Sequence, residues 1–214
     1  PFSNARIAWH NVAIIDPLFT LPLLAGVLLA VRYSNQLIAR GVLAFSIAYL
    51  LFGVVQRERA HTVYQTLQQE RGHQPTQVEV KPSIGNNILF RGFYRVGDVY
   101  HADAIRVPWW GLSKVYKGTT APALDPAVVT ANLEPIHAQD VMRFVHFSAG
   151  YIIAHPGEPG IISDFRYSAV PNTIAPLWGI DLGEAKPGKH LDFQRFNQVG
   201  EVQRAQFIDQ LMGR

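Results

Sequence analysis

The residues able to do chemistry in this chain are histidines, carboxylates and hydroxyls, because the sequence contains no cysteine. The lack of cysteine excludes disulfides, Cys-ligated zinc and a thiol nucleophile. Ser148-Ala149-Gly150 lacks the leading glycine of a nucleophile elbow, and the glycines are not spaced as a phosphate-binding loop. Metal-assisted chemistry is therefore the best candidate, since His and Asp can hold a cation that lowers the pKa of bound water.

Asp16 is the strongest candidate for a catalytic residue and for a metal ligand. It stands beside an apolar segment, where an ionised side chain is costly and marks a functional site by default. The alternative is that Asp16 caps a helix beginning at Pro17. His10, six residues earlier in the chain, is its nearest potential partner and a further candidate ligand.

Two other arrangements could contribute metal ligands. His101 and Asp103 are two residues apart in a predicted strand, so both side chains lie on one face within reach of a single ion. A solvated strand face is the alternative for this pair. His146, His155 and Asp164 lie on successive predicted elements, and the sequence leaves open whether they converge.

Two apolar segments in the first quarter of the chain predict a membrane-embedded helical hairpin. The first, at about 11–31, contains one charged residue in 21 positions and would span roughly 30 Å, the thickness of the hydrocarbon core. The second, at about 37–55, contains only Arg40, which can reach the membrane surface. The polar turn at 32–36 makes the helices antiparallel neighbours. A hairpin buried in a soluble core is the alternative, but the second segment is apolar on all sides, which favours lipid.

The distribution of charge separates this hairpin from the rest of the chain. Residues 1–56 contain only Arg6, Asp16, Arg32 and Arg40, which leaves 16 of the 19 basic and 15 of the 16 acidic residues for positions 57–214. This nearly neutral remainder has no clustered basic surface, so nucleic acid is not an expected partner. Arginines flank both ends of the hairpin and favour only weakly a cytoplasmic large domain.

Residues 57–214 predict a polar α+β domain with a mainly antiparallel sheet. A juxtamembrane helix over 57–71 continues out of the membrane and stops at Gly72. Two-residue alternation then predicts short strands, and three further segments predict helices. The strands are expected at 77–80, 87–96, 98–107, 114–118, 151–154, 160–169 and 175–182, and the helices around 126–132, from about 138 and at 201–213. The predicted organisation is a hairpin at 1–56, a juxtamembrane helix at 57–72 and the α+β domain at 73–214.

Several of these segments together resemble a bacterial family. The similarity rests on the opening PFSNARIAW, the Ile-Ile-Asp-Pro-Leu motif at 14–18, the Asn-Ile-Leu-Phe-Arg stretch from Asn87 to Arg91, and Ser163-Asp164-Phe165-Arg166-Tyr167. In these segments the chain resembles the C-terminal half of the YdjM-like, LexA-regulated, inner-membrane-associated proteins described as metal-dependent hydrolases. The likeness covers most of the chain.

The resemblance implies a multi-pass protein of the bacterial inner membrane with a divalent metal ion, zinc being one candidate, held by His and Asp near the membrane surface. The family's most distinctive motif lies in its N-terminal half, upstream of Pro1. Of the presumed site, only Asp16 is carried over, so this fragment alone is expected to be inactive. The lack of a starting Met agrees with a C-terminal fragment.

The leading hypothesis is therefore the C-terminal part of a membrane-bound metal-dependent hydrolase. Metal-bound hydroxide would attack a small-molecule or lipid-like substrate, with Asp16 as ligand or general base. The alternative is a non-catalytic, membrane-anchored interaction module that presents Trp109, Trp110 and Trp178 to a partner. The lipid bilayer is the partner expected in both cases, and the oligomeric state is left open.

Overall fold

The computed structural model describes residues 9–196 and 199–214, so nearly all of the opening PFSNARIAW lies outside the described residues. Its helices are α1 (Pro17–Tyr33), α2 (Gln36–Glu70), α3 (Pro126–Thr130), α4 (Pro135–Phe147) and α5 (Glu201–Met212). Its strands are β1 (Gln77–Pro82), β2 (Leu89–Val96), β3 (Val99–Arg106), β4 (Lys114–Tyr116), β5 (Thr120–Pro122), β6 (Ile152–Ala154), β7 (Ile161–Asp164), β8 (Trp178–Asp181) and β9 (Asp192–Arg195). A pair of helices thus precedes an antiparallel α+β domain, which confirms the predicted fold class.

Capping residues start both helices of the pair, and a residue with a left-handed backbone makes the turn between them. α1 begins at Pro17 after Asp16, whose side chain accepts a hydrogen bond from the amide of Phe19. The helix ends at Ser34, which has a left-handed backbone with φ of 46°. Asn35 then caps α2 by accepting from the amides of Leu37 and Ile38. The predicted turn is therefore confirmed, but the first helix starts at residue 17 and not at 11.

α2 is a single helix of 35 residues. It joins the predicted second membrane segment to the predicted juxtamembrane helix without a break. Where the apolar segment ends, Gln56 is fully buried and its amide nitrogen donates to the carbonyls of Asn87 and Val107, each at 3.0 Å. This side chain fixes the middle of α2 to the first sheet.

Among the described residues, α2 is the one helix long and apolar enough to cross a membrane. α1 has 17 residues and rises only about 25 Å. Only 6% of the apolar window of α2 is buried, and apolar side chains such as Leu21 and Leu51 are 63% and 62% exposed. The described residues therefore do not form the soluble core that the alternative required. The structure indicates membrane association through one helix, weakly, and does not support the predicted multi-pass arrangement.

The α+β domain is mainly antiparallel, as predicted, and its strands form two sheets. Sheet 1 has the order β1-β2-β3-β4, with β5 also paired to β3, and sheet 2 has the order β6-β7-β8-β9. β5 and β9 were not predicted, and β7 ends at Asp164, so the predicted strand at 160–169 is shorter. α4 begins at Pro135, three residues before the predicted start.

Three hydrophobic cores stack the domain in four layers: α2, sheet 1, sheet 2 and α4. Ala60, Tyr64 and Leu67 of α2 pack on one face of sheet 1. The other face of sheet 1 packs on sheet 2 through a core that includes Phe93, Tyr100, Tyr151 and Phe165. α4 covers the far face of sheet 2 with Val141 and Phe144. The C-terminal half of α2 is thus part of the α+β domain.

Candidate functional site

Residues 9–16 form an irregular segment between the middle of α2 and the loop that joins β1 to β2. A Cβ atom on Gly53 would lie 2.1 Å from the backbone oxygen of Asn11, so only glycine permits this close approach. On the other side, the amide of Gly85 donates to the carbonyl of Ile15 at 2.8 Å. These contacts place His10 beside the point where α2 enters the domain.

Asp16 is 3% exposed and both of its carboxylate oxygens are engaged. Oδ1 accepts from the amide of Phe19 at 3.2 Å, and Oδ2 accepts from the hydroxyl of Tyr49 in α2 at 2.8 Å. The side chain therefore caps α1 and joins it to α2. These contacts fit the capping alternative, and the catalytic and metal-binding roles of Asp16 stay predictions.

The ionisable neighbour of His10 is Glu79 of β1, whereas Asp16 is engaged with Phe19 and Tyr49. The Nε2 atom of His10 lies 3.6 Å from Oε2 of Glu79, and the same oxygen accepts from Nζ of Lys81 at 2.8 Å. His10 has a positive φ of 48°, a backbone conformation that is uncommon outside glycine and that concentrates at functional sites. His10, Glu79 and Lys81 form the first half of what we name the intersheet cluster.

The second half of the intersheet cluster is an ion pair from sheet 2. Asp164 is fully buried, and its carboxylate accepts from Nε and Nη2 of Arg166. Nη2 of Arg166 also donates to the carbonyl of Phe147 at 2.7 Å, and the indole of Trp178 donates to Asp164 at 3.1 Å. The ammonium of Lys81 lies 4.9 Å from the ring centroid of Tyr167, so residues of both sheets meet here.

Arg91 of β2 fixes the loop that carries Arg166 and Tyr167. Its guanidinium is buried and donates to the carbonyls of Phe165, Pro171 and Thr173. The stretch from Asn87 to Arg91 and the stretch from Ser163 to Tyr167, both noted in the sequence, are therefore in direct contact. Burial lowers the pKa of Arg91 to about 10, which still leaves the guanidinium charged at neutral pH.

The intersheet cluster holds its histidine neutral. Burial, together with the positive charge of Lys81, lowers the pKa of His10 to about 4, and the negative charge of Glu79 opposes this shift only in part. Burial also lowers the pKa of Lys81, again against the effect of Glu79. For Arg166, burial is outweighed by the hydrogen bonds and charge of Asp164, and the pKa is raised. The result is an uncharged imidazole next to carboxylates and cations.

A second polar group, the Arg71 cluster, lies on the opposite face of sheet 1 and contains Arg71, Asp103, Tyr94, His73 and His101. Arg71 donates from both terminal nitrogens to the two oxygens of Asp103, each at 2.8 Å. The hydroxyl of Tyr94 lies 2.7 Å from Nδ1 of His73. The ring of His101 stacks on Tyr94 at 4.8 Å between centroids.

The hydrogen bonds of the Arg71 cluster occupy the carboxylate of Asp103, which was predicted from the sequence as a metal ligand. Asp103 is 1% exposed, and besides Arg71 it accepts from the amide of Gly118 at 2.9 Å and from the hydroxyl of Tyr64 at 3.3 Å. His101 and Asp103 do share a strand face, as predicted. Their contacts, however, are with Arg71 and Tyr94.

The four proposed metal ligands thus fall into three sets of contacts. Within residues 9–196 and 199–214, no three His, Asp or Glu side chains form a group that could hold a metal ion. His155 packs on the ring of Phe196 at 4.4 Å, while Asp164 pairs with Arg166. The described residues alone therefore do not fit a metal centre, and the predicted divalent ion stays a prediction.

Sequence reasoning missed Glu79, Lys81 and Tyr151. Alternation in β1 separates Val78 and Val80 from Glu79 and Lys81, and charged residues in such a pattern are normally assigned to solvent. One signal for a polar site was present in the sequence: Glu79 and Lys81 alternate in β1, and the next strand, β2, contains Arg91. In the structure Arg91 pairs with Lys81, so all three side chains share one face of sheet 1. Burial raises the pKa of Tyr151, and its hydrogen bond to Glu79 adds to this effect.

Comparisons of the chain with family models, curated proteins and solved structures found no match. The resemblance to the YdjM-like family is therefore neither supported nor contradicted by them.

Proposed function

We propose that this chain is the membrane-anchored C-terminal part of a hydrolase, and that its contribution to the reaction is the intersheet cluster. The observation that carries the proposal is the neutral imidazole of His10, held in a positive-φ conformation 3.6 Å from Glu79 and next to Lys81. An imidazole that is unprotonated at neutral pH and has a carboxylate beside one ring nitrogen can accept a proton at the other nitrogen, although its low pKa makes it a weaker base than one tuned close to pH 7.

Glu79 defines which nitrogen of His10 accepts a proton. The carboxylate lies on the Nε2 side of the ring, which favours the tautomer protonated at Nε2 and leaves the lone pair on Nδ1. Nδ1 would take a proton from water as the water oxygen bonds to the substrate's acyl or phosphoryl centre. The same proton would then pass to the leaving group as its bond breaks.

Lys81 and Arg166 would stabilise the negative charge that develops on the substrate. Both cations are held by carboxylates, Lys81 by Glu79 and Arg166 by Asp164, so their positions are set before any substrate binds. Such preorganised charge stabilises a transition state more than mobile charge in water does. A small-molecule or lipid-like ester or phosphoester would suit this arrangement.

None of the proposed roles of His10, Glu79, Lys81 and Arg166 requires the divalent ion that the family resemblance implies. Asp16 has both oxygens engaged, and Asp103 is bound by Arg71. Under the resemblance, the ligands would come from residues upstream of Pro1. The bacterial inner membrane and a multi-pass topology likewise remain proposals that rest on that resemblance.

The test is hydrolysis of a panel of chromogenic esters and phosphoesters by the protein with its full natural chain in phosphatidylcholine vesicles. We expect His10→Gln to lower kcat about 10²- to 10⁴-fold with little change in KM, since it removes a general base. The matched control is His190→Gln, because His190 is 63% exposed and pairs with Asp140 of α4, beyond sheet 2. This control should keep the wild-type kcat.

The pH profile provides a second readout. Because His10 must be unprotonated to act, kcat/KM should fall as the pH drops through the pKa of His10 at about 4. Unchanged kcat and an unchanged acid limb in His10→Gln would exclude the proposed role, and the absence of hydrolysis across the panel would count against the hydrolase function.

The interaction-module alternative has weaker geometric support. Trp178 donates its indole N–H to Asp164, and its ring lies 5.2 Å from that of Tyr167. It is thus engaged within the domain, whereas Trp109 and Trp110 lie on an exposed loop. The three tryptophans do not share one set of contacts.

A further inference from the structure

Large apolar side chains are exposed around the base of the helical pair, on segment 9–16 and on two loops of sheet 1. These residues, which we name the collar, have the following exposed fractions: Trp9 73%, Ile14 82%, Ile15 58%, Ile84 59%, Trp109 48%, Trp110 80% and Leu112 92%. Exposed apolar residues scattered singly need no explanation, but seven of them on neighbouring segments beside an exposed apolar helix do.

One side of the collar is fixed level with the last turn of the apolar part of α2. The ring of Trp109 meets that of Phe52 edge-on at 5.6 Å, and Trp110 packs on Trp109 at 6.0 Å. Gln56 and Arg59 of α2 donate to the carbonyls that precede Trp109. The loop at 107–113 is therefore held against the helix at the end of its apolar stretch.

The other side of the collar is fixed level with the start of α1. Ile84 precedes Gly85, whose amide donates to the carbonyl of Ile15. A Cβ atom on Gly85 would lie 3.9 Å from Cδ of Pro17, the first residue of α1. Both loops leave the same end of sheet 1, since Pro82 pairs with Phe90 and Leu89 pairs with Arg106 there.

The opposite end of sheet 1 has a different surface. There the hairpin between β2 and β3 turns at Gly97 and Asp98, and the side chain of Asp98 is 90% exposed. The exposed apolar residues of the sheet 1 loops thus lie at the end that faces the helical pair.

We propose that the collar inserts into the boundary between headgroups and acyl chains of a lipid bilayer, so that the domain rests directly on the membrane surface. Tryptophan is the residue that prefers this boundary, because its ring is apolar and its indole N–H is polar. The collar is continuous with the apolar sides of α2, of which only 6% of the window is buried. A single lipid bilayer would therefore bury both the collar and the exposed apolar sides of α2.

This proposal rests on the membrane association of α2 and not on the hydrolase activity. Its test requires no substrate, so either proposal can fail alone. A second copy of the chain is the competing occupant, and the experiment distinguishes it from lipid.

These 214 residues contain no cysteine, so single-cysteine spin labelling of this chain is straightforward. We would label Leu112→Cys and Ile84→Cys in the chain reconstituted into phosphatidylcholine vesicles, and measure collisions with oxygen, which concentrates in lipid, and with a water-soluble nickel chelate. Leu51→Cys in α2 is the lipid reference. Val128→Cys in α3 is the matched control, since Val128 is an equally apolar side chain that is 73% exposed outside the collar.

Both collar labels should show an oxygen-to-nickel accessibility ratio shifted from that of Val128→Cys towards that of Leu51→Cys, and independent of the protein-to-lipid ratio. Ratios equal to that of Val128→Cys would refute the proposal. So would spin–spin broadening that grows with protein density, because it would show that a second copy covers the collar. Far-ultraviolet circular dichroism confirms that each labelled variant is folded.

Discussion

The two faces of sheet 1 carry polar clusters that contain the same residue types but differ in their hydrogen bonding. In the Arg71 cluster the buried carboxylate of Asp103 has Arg71, Tyr64 and a backbone amide as partners, and every contact closes within the fold. In the intersheet cluster the imidazole of His10 reaches Glu79 only at 3.6 Å and stays neutral. The two clusters therefore differ in how completely their polar groups are hydrogen-bonded and not in their residue types, and the less complete one is the cluster that we propose to be reactive.

The largest expected effect tests whether the Arg71 cluster is structural. Asp103→Ala leaves Arg71 without its buried partner, and we expect a loss of about 3–5 kcal/mol in the free energy of unfolding. Urea denaturation in detergent micelles, followed by circular dichroism, measures this loss. The control is Asp98→Ala, which breaks the exposed pair with Arg95 and should cost about 0–1 kcal/mol. Equal losses in the two variants would show that the comparison between the clusters is wrong.

An intermediate effect is expected from Gly53→Ala, which disturbs the intersheet cluster from outside. The added Cβ would meet the backbone oxygen of Asn11 at 2.1 Å, so segment 9–16 must move and the variant should lose about 1–3 kcal/mol. The pKa of His10, followed by NMR titration, should rise towards the ordinary value of 6.5 as the ring becomes solvated.

Gly41→Ala is the matched control for that change. Gly41 also lies within α2, and a Cβ there meets nothing within 4 Å, so the helix should gain up to about 1 kcal/mol. If Gly53→Ala were equally stabilising and left His10 unchanged, the close approach of segment 9–16 to α2 would be disproved.

The smallest effect is the pH dependence that His10 contributes to stability. Its pKa is about 4 in the folded protein and 6.5 when exposed, so the unfolded chain binds the extra proton first. Its contribution is fully present above pH 6.5 and is lost as the pH falls to about 4. Because the side chain is partly exposed, we expect a difference of the order of 1 kcal/mol between wild type and His10→Gln across this window. Identical pH profiles for the two proteins would contradict a buried, neutral His10.

The sequence predicted those parts of the fold that depend on local chemistry. Asp16 before Pro17 and the Ser34-Asn35 turn are helix signals that act within a few residues, and the charge-poor runs predicted both helices. The start of the first helix was placed too early, because residues 12–15 are apolar but belong to an irregular segment, which contacts α2 at Gly53.

The intersheet cluster could not be predicted because it depends on how two sheets stack. His10 and Glu79 are far apart in the chain and come together where segment 9–16 lies beside β1. Lys81 and Tyr167 come together where the loop after β7 packs on sheet 1. Arg91 is hidden for the same reason, since a fully buried arginine bound to three carbonyls has no local sequence signal. Strand β5 (Thr-Ala-Pro) ends in proline and β9 (Asp-Phe-Gln-Arg) contains one apolar residue, so neither shows the apolar pattern that predicted the equally short β4 and β6.

The unbroken course of α2 has a mechanical consequence. A helix of 35 residues is about 52 Å long, and it passes from its exposed apolar half into the core of the domain without a flexible linker. A rotation or tilt of the N-terminal half of α2 must turn sheet 1 with it, because Gln56 in the middle of α2 is hydrogen-bonded to the carbonyls of Asn87 and Val107 beside sheet 1. If α2 lies in a bilayer as we propose, the domain would diffuse in the plane of the membrane at a fixed height above it, and membrane-bound molecules would share that plane.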